Sequence, residues 1–107
     1  MLLLDDDDEL PHQPSVLEAS LVSSLAAEKL ADIDDALIQA SAVAWRKVAR
    51  VVHDAMTSGR YDPWDEAALH LHVRRIDHLV SDGILEAQGN LRRPRWSEVR
   101  LHQRSAV

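Results

Sequence analysis

The stretch Gly83-Ile84-Leu85-Glu86-Ala87-Gln88-Gly89-Asn90-Leu91-Arg92-Arg93-Pro94-Arg95-Trp96-Ser97-Glu98-Val99-Arg100-Leu101 decides the fold. Helical spacing stops at Gly83. Ile84–Gln88 reads as a strand, Gly89-Asn90 as a turn, and Trp96, Val99 and Leu101 resume a strand pattern around outward Ser97. The connection is longer than a two-residue hairpin, and Pro94 is tolerated there because no ladder bond needs its nitrogen. Arg100 is placed to pair across the hairpin with Glu86.

Working back from Gly83, Leu69, Val73, Ile76 and Val80 mark the buried line of a helix, with Leu79 beside it. Asp62-Pro63-Trp64-Asp65 predicts its start, with Asp62 as cap, Pro63 at the first helical position and acid in the first turn. Ser41 is expected to cap an earlier helix running to about Thr57. On it Trp45, Val48, Ala49, Val52, Ala55 and Met56 form an apolar stripe, and Gly59 suits a left-handed stop. Asp32 or Asp34 can cap a short helix over residues 35–39. Further back, Ser15-Val16-Leu17-Glu18 spells a capping box, opening an amphipathic helix over about residues 16–31 with Leu17, Leu21, Val22, Leu25 and Leu30 at helical spacing. Pro11 and Pro14 bracket an extended linker. The expected architecture is mainly α with a C-terminal β-hairpin: a winged helix-turn-helix domain over residues 15–107, preceded by an acidic arm and linker over residues 1–14.

Several classes are excluded early. At 107 residues the chain has room for one core. It lacks cysteine, which removes disulfides, thiolate metal sites and thiol nucleophiles. Three glycines are too few for a phosphate-cradling loop, and no apolar run reaches the roughly 20 residues of a membrane helix. Met1-Leu2-Leu3-Leu4 is too short for a signal segment and runs into acid. A cytoplasmic protein is the expectation.

The net charge of −6 is unevenly placed. Residues 1–35 carry ten acids against Lys29 alone, whereas residues 36–107 carry eight acids and eleven bases. The run Asp5, Asp6, Asp7, Asp8, Glu9 reads either as a solvated tail or as an arm that screens a basic face or engages a basic partner.

The run from Val73 to Gly89, with Arg74-Arg75-Ile76-Asp77-His78-Leu79 and Asp82-Gly83-Ile84-Leu85-Glu86 inside it, resembles a bacterial domain of unknown function, number thirty-six fifty-eight. Arg95-Trp96-Ser97-Glu98-Val99-Arg100-Leu101 is similar to that family's closing motif, and the likeness spans about residues 33–101, Trp45-Arg46-Lys47-Val48-Ala49 included. It implies a winged-helix-like module, of a kind that in the family often follows another uncharacterised domain. It implies no activity and no catalytic residues.

Chemistry-bearing residues are sparse. His12, His53, His70, His72, His78 and His102 do not form a ligand set: His70 and His72 diverge by about 200° on a helix, and His78 neighbours Arg74 and Arg75. His53-Asp54 and Asp77-His78 are adjacent in helices and do not face each other. No cofactor, metal or enzymatic role is expected. Arginine placement says more. Arg74 and Arg75 lie on the helix before the hairpin, Arg92, Arg93 and Arg95 at the hairpin tip, and Arg46, Lys47 and Arg50 on the preceding helix. Together they predict contact with double-stranded DNA by a regulator, the helix pair in the major groove and the tip near phosphates. The plainer reading is that Arg75 pairs with Asp82 or Glu86 and the tip arginines only solubilise a loop. The alternative function is a protein-binding module, such as an antitoxin or immunity protein neutralising a basic partner through Asp5–Glu9. Leu17, Leu21 and Leu25 would support that contact or a homodimer. Trp45 is expected in the core, Trp64 as a staple and Trp96 beneath the hairpin or stacked on a partner.

Overall fold

Val48, Val51, Val52, Ala55 and Met56 recur at helical spacing, and all are at most 1% exposed. They form the inner face of the helix at Val48–Ser58. The computed structural model describes residues 9–102. Its elements are α1 (Val16–Ser24), α2 (Ala27–Ala40), β1 (Arg46–Lys47), α3 (Val48–Ser58), α4 (Glu66–Ser81), β2 (Leu85–Gln88), a 3-10 turn (Pro94–Trp96) and β3 (Glu98–Leu101). This is a mainly helical domain of four helices with a small three-stranded antiparallel sheet near its C-terminal end. Among the described residues no helix is long and apolar enough to cross a membrane.

The longest helix, α4, is the hub. Ala68 to Val73 are six buried residues in a row, and Ile76 and Leu79 continue the line. An unbroken buried run of that length needs partners on more than one side, and α1, α2 and α3 all pack against it. Ile33 and Leu37 come in from α2, and Leu85 and Val99 close the core from the sheet.

The sheet order is β1-β3-β2. Glu86 faces Arg100 and Ala87 faces Val99 across the hairpin, while Arg46 and Lys47 pair with Val99 and Glu98 on the other edge of β3. Glu86 accepts from Arg100 Nε at 2.6 Å, the cross-strand pair expected from the sequence. Gly83 (φ 78°) ends α4 where helical spacing stops. Gly89 (φ 84°) turns the chain out of β2, and a Cβ there would lie 2.5 Å from the Trp96 carbonyl oxygen.

Other boundaries differ from expectation. The helix predicted over residues 16–31 is broken at Leu25 and Ala26, both extended. The break lets half-buried Leu21 and Leu25 meet the core before the chain re-enters a helix in a new direction. The short helix predicted over residues 35–39 is the tail of α2, on which Leu30, Ile33 and Leu37 hold the inner line. Asp32, Asp34 and Asp35 lie along α2 rather than capping it. Ser41 closes α2, its hydroxyl donating to the Leu37 carbonyl at 2.8 Å, instead of opening the next helix. Trp45 therefore stands outside α3, half-buried, with the Arg100 guanidinium 4.5 Å from its ring centre. Helix α4 starts later than expected: the Asp65 side chain accepts from Ala68 N–H, while Asp62 takes the N–H of Trp64. At the end of α3 the left-handed residue is Arg60 (φ 62°), not Gly59 (φ −83°).

Candidate nucleic-acid interface

The cations foreseen on one ridge divide into two groups. Arg74 and Arg75 leave α4 on different sides, and each meets a carboxylate of this chain. The Ser15 hydroxyl caps α1 by accepting from Glu18 N–H at 3.1 Å. The Glu18 side chain does not complete the box. It turns inward, 1% exposed, and accepts from Arg74 Nε. Arg74 Nη2 donates to the Pro11 carbonyl at 2.8 Å. Arg75 makes a two-pronged pair with Asp34 on α2, at 2.9 and 2.8 Å. Those hydrogen bonds raise the Arg75 pKa above its usual value, against the smaller opposing effect of burial. A helix that reads base edges must offer side chains to the groove. Here α4 packs against three helices, and its two arginines bond to carboxylates of α1 and α2.

Other arginines bond within the chain as well. Arg46 Nη1 donates to the Ala40 carbonyl at 2.9 Å. Arg100 belongs to Glu86. Arg92 Nε donates to the Leu10 carbonyl at 2.9 Å, with Nη1 3.6 Å from Glu9.

The second group faces outward. Lys47, Ala49, Arg50, Arg95 and Trp96 line an open concavity of about 340 Å³ between the start of α3 and the 3-10 turn. Lys47 Nζ lies 5.7 Å from the Trp96 ring centre, and the indole is 55% exposed. Arg50, with a side chain 70% exposed, has Asp54 at 3.7 Å one turn on, a separation in water that leaves most of its charge available. Helix α3 opens at Val48, so the positive end of its dipole adds to the same potential. Val48 N–H donates to the Ser97 carbonyl at 3.0 Å, fixing the helix start against the turn. Buried Pro94 and the Ser97 hydroxyl, which donates to the Arg93 carbonyl at 2.9 Å, hold the turn's shape. Arg93 sits half-buried in this turn. Lys47, Arg50 and Arg95 thus line one concavity. Trp96 joins them rather than lying beneath the hairpin.

The expected partner-binding stripe also divides. Leu17 is 73% exposed, whereas Leu21 and Leu25 pack on the core. Asp5–Asp8 lie outside the described residues. Trp64, expected as a staple, is 65% exposed.

Buried histidines serve the interior. His72 is fully buried, its Nδ1 2.7 Å from the Ala68 carbonyl and its ring edge-on to Tyr61 at 4.9 Å. Burial lowers its pKa, opposed by that hydrogen bond. His70 lies 3.8 Å from Glu18 and 3.6 Å from Glu66; burial lowers its pKa too, outweighing the two carboxylates, and Arg74 adds to the lowering. Among the described residues, no three His, Cys, Asp or Glu side chains group as a metal site. Comparison with family models, curated proteins and solved structures finds no match to this chain.

Proposed function

We propose that the chain is a non-enzymatic binding module of winged-helix type that contacts the DNA backbone through Lys47, Arg50 and Arg95 and offers Trp96 to a base, in a regulatory role. The order α2, β1, α3, α4, hairpin, with β1 against β3, supports the winged-helix assignment, α1 being an added helix. The observation that carries the function is the convergence of three cations and an exposed indole on one concavity. Ammonium and guanidinium groups suit phosphate oxygens, and an exposed tryptophan offers a stacking face to a base. With the α4 arginines engaged internally, this contact is backbone-led and weakly sequence-selective.

Fluorescence anisotropy with labelled duplex and single-stranded oligonucleotides over about 50 to 200 mM salt tests it. Three phosphate contacts give a log–log slope of about −2.7 on duplex. Lys47→Ala, Arg50→Ala and Arg95→Ala together should flatten the slope, and Trp96→Ala should weaken single-strand binding most. A slope that the triple variant leaves unchanged defeats the proposal. The second reading, a protein-binding module, draws on Val16 and Leu17, 83% and 73% exposed at the start of α1. Co-purification of a basic protein, lost in Leu17→Ser, would favour it.

A further inference from the structure

Leu10 is 3% exposed, although Glu9, Pro11 and His12 around it are exposed. Its side chain belongs to the core cluster, and the backbone around it runs across α4 and the β2–β3 connection. Leu10 N–H donates to the Arg92 carbonyl at 2.6 Å, and Arg92 Nε returns a bond to the Leu10 carbonyl at 2.9 Å. Asn90 donates to the Glu9 carboxylate at 3.2 Å, and Arg74 Nη2 to the Pro11 carbonyl. Beside this strap a cavity of about 290 Å³ stays open, lined by Leu10, Val73, Arg74, Asp77, Leu91 and Arg92 among others.

Two features mark the strap as a removable cover. One buried apolar side chain anchors it, and every residue from Pro11 to Leu17 is exposed, so lifting it uncovers little apolar surface. The groups it offers to Arg74 and Arg92 are carbonyl and carboxylate oxygens, the acceptor chemistry of a phosphodiester. We propose that Glu9–His12 is an intramolecular stand-in for nucleic-acid backbone, covering a second segment of the interface in which Arg92 and the Nη face of Arg74 take phosphate once the strap lifts. This rests on the nucleic-acid reading above. Arg92 lies on the same β2–β3 connection as Arg95. Arg74 keeps Glu18 when the strap leaves and so supplies hydrogen bonds with little net charge. Arg92 alone adds a full counterion-releasing contact.

The test is Leu10→Ser in the full chain, which loosens the strap without altering charge. Amide hydrogen exchange at Leu10 and anisotropy with a labelled duplex are read on the same samples. Faster exchange should come with about tenfold tighter duplex binding, the low end for one charge-assisted contact, and a salt slope steeper by about 0.9. Adding Arg92→Ala should return the slope to that of the parent. Should Leu10→Ser fail to fold, residues 1–12 are removed; because that deletion also takes away five acids, the cover is read only from the loss of affinity and slope that Arg92→Ala causes in the shortened chain against the loss it causes in the full chain. Faster exchange with unchanged affinity and slope overturns the cover while leaving the outward patch intact. If neither the parent nor the loosened chain binds duplex, both readings fail.

Discussion

Glu18 on α1 and Arg74 on α4 stand 56 positions apart and share one ion pair, the glutamate side chain 1% and the arginine side chain 20% exposed. The pair is lopsided: water reaches the cation and not the anion. Removing the cation strands a buried charge, so Arg74→Ala should cost about 3–5 kcal/mol. Glu18→Ala leaves an arginine that can turn to solvent and should cost about 1–2 kcal/mol. Replacing both, Glu18→Leu with Arg74→Met, should recover most of the larger loss. Urea unfolding of the four chains checks the order; equal costs for the two single variants would contradict it.

The Asp34–Arg75 pair joins α2 to α4 through two parallel hydrogen bonds, with both side chains less than a quarter exposed. Asp34→Ala should destabilise by about 1.5–3 kcal/mol, the worth of charged hydrogen bonds. Asp35→Ala, on an exposed neighbour of the same helix, should stay within about 0.5 kcal/mol. The difference between the two is readable by thermal or urea unfolding.

Arg60 holds a left-handed backbone at φ 62°. That conformation costs a residue with a Cβ about 1–2 kcal/mol, while glycine loses up to about 1 kcal/mol of chain entropy on folding. Arg60→Gly should therefore stabilise the domain by about 0.5 kcal/mol. A loss of stability would mean that the Arg60 side chain makes a compensating contact.

His70 and His72 both have lowered pKa values, chiefly through burial. The unfolded chain then binds more protons than the folded one between the folded values and about 6.5, so stability rises with pH across that window and levels off above it. Unfolding at pH 5.5 should need less urea than at pH 7.5. His72→Phe should narrow the gap between the two pH values, whatever it does to stability at either.

The end of the chain is legible because local signals there agree with the tertiary outcome. Gly83 and Gly89 take left-handed backbone, period-two apolar residues bury one face of a hairpin, and Glu86–Arg100 follows from its register. The break between α1 and α2 carries no such signal. Neither Gly nor Pro occurs near Leu25 and Ala26, and the chain turns there because Leu21, Leu25 and Leu30 all need the core. The arginines show the same limit. Their positions are visible in the sequence, but Glu18 and Asp34 lie 56 and 41 residues away, and only packing of α1 and α2 on α4 brings them within reach. The strap was legible as an acidic arm, and its anchor was not, because Leu10 stands alone among polar residues and prolines.

Gly89 governs more than its own turn. Any side chain there would collide with the backbone carrying Trp96 and push the Arg95–Trp96 corner away from Lys47 and Arg50. In a saturation library screened for function, this silent position should be among the least permissive in the hairpin. The cations themselves should exchange freely between lysine and arginine, so the shape of the surface would be guarded by the one residue that contributes no side chain to it.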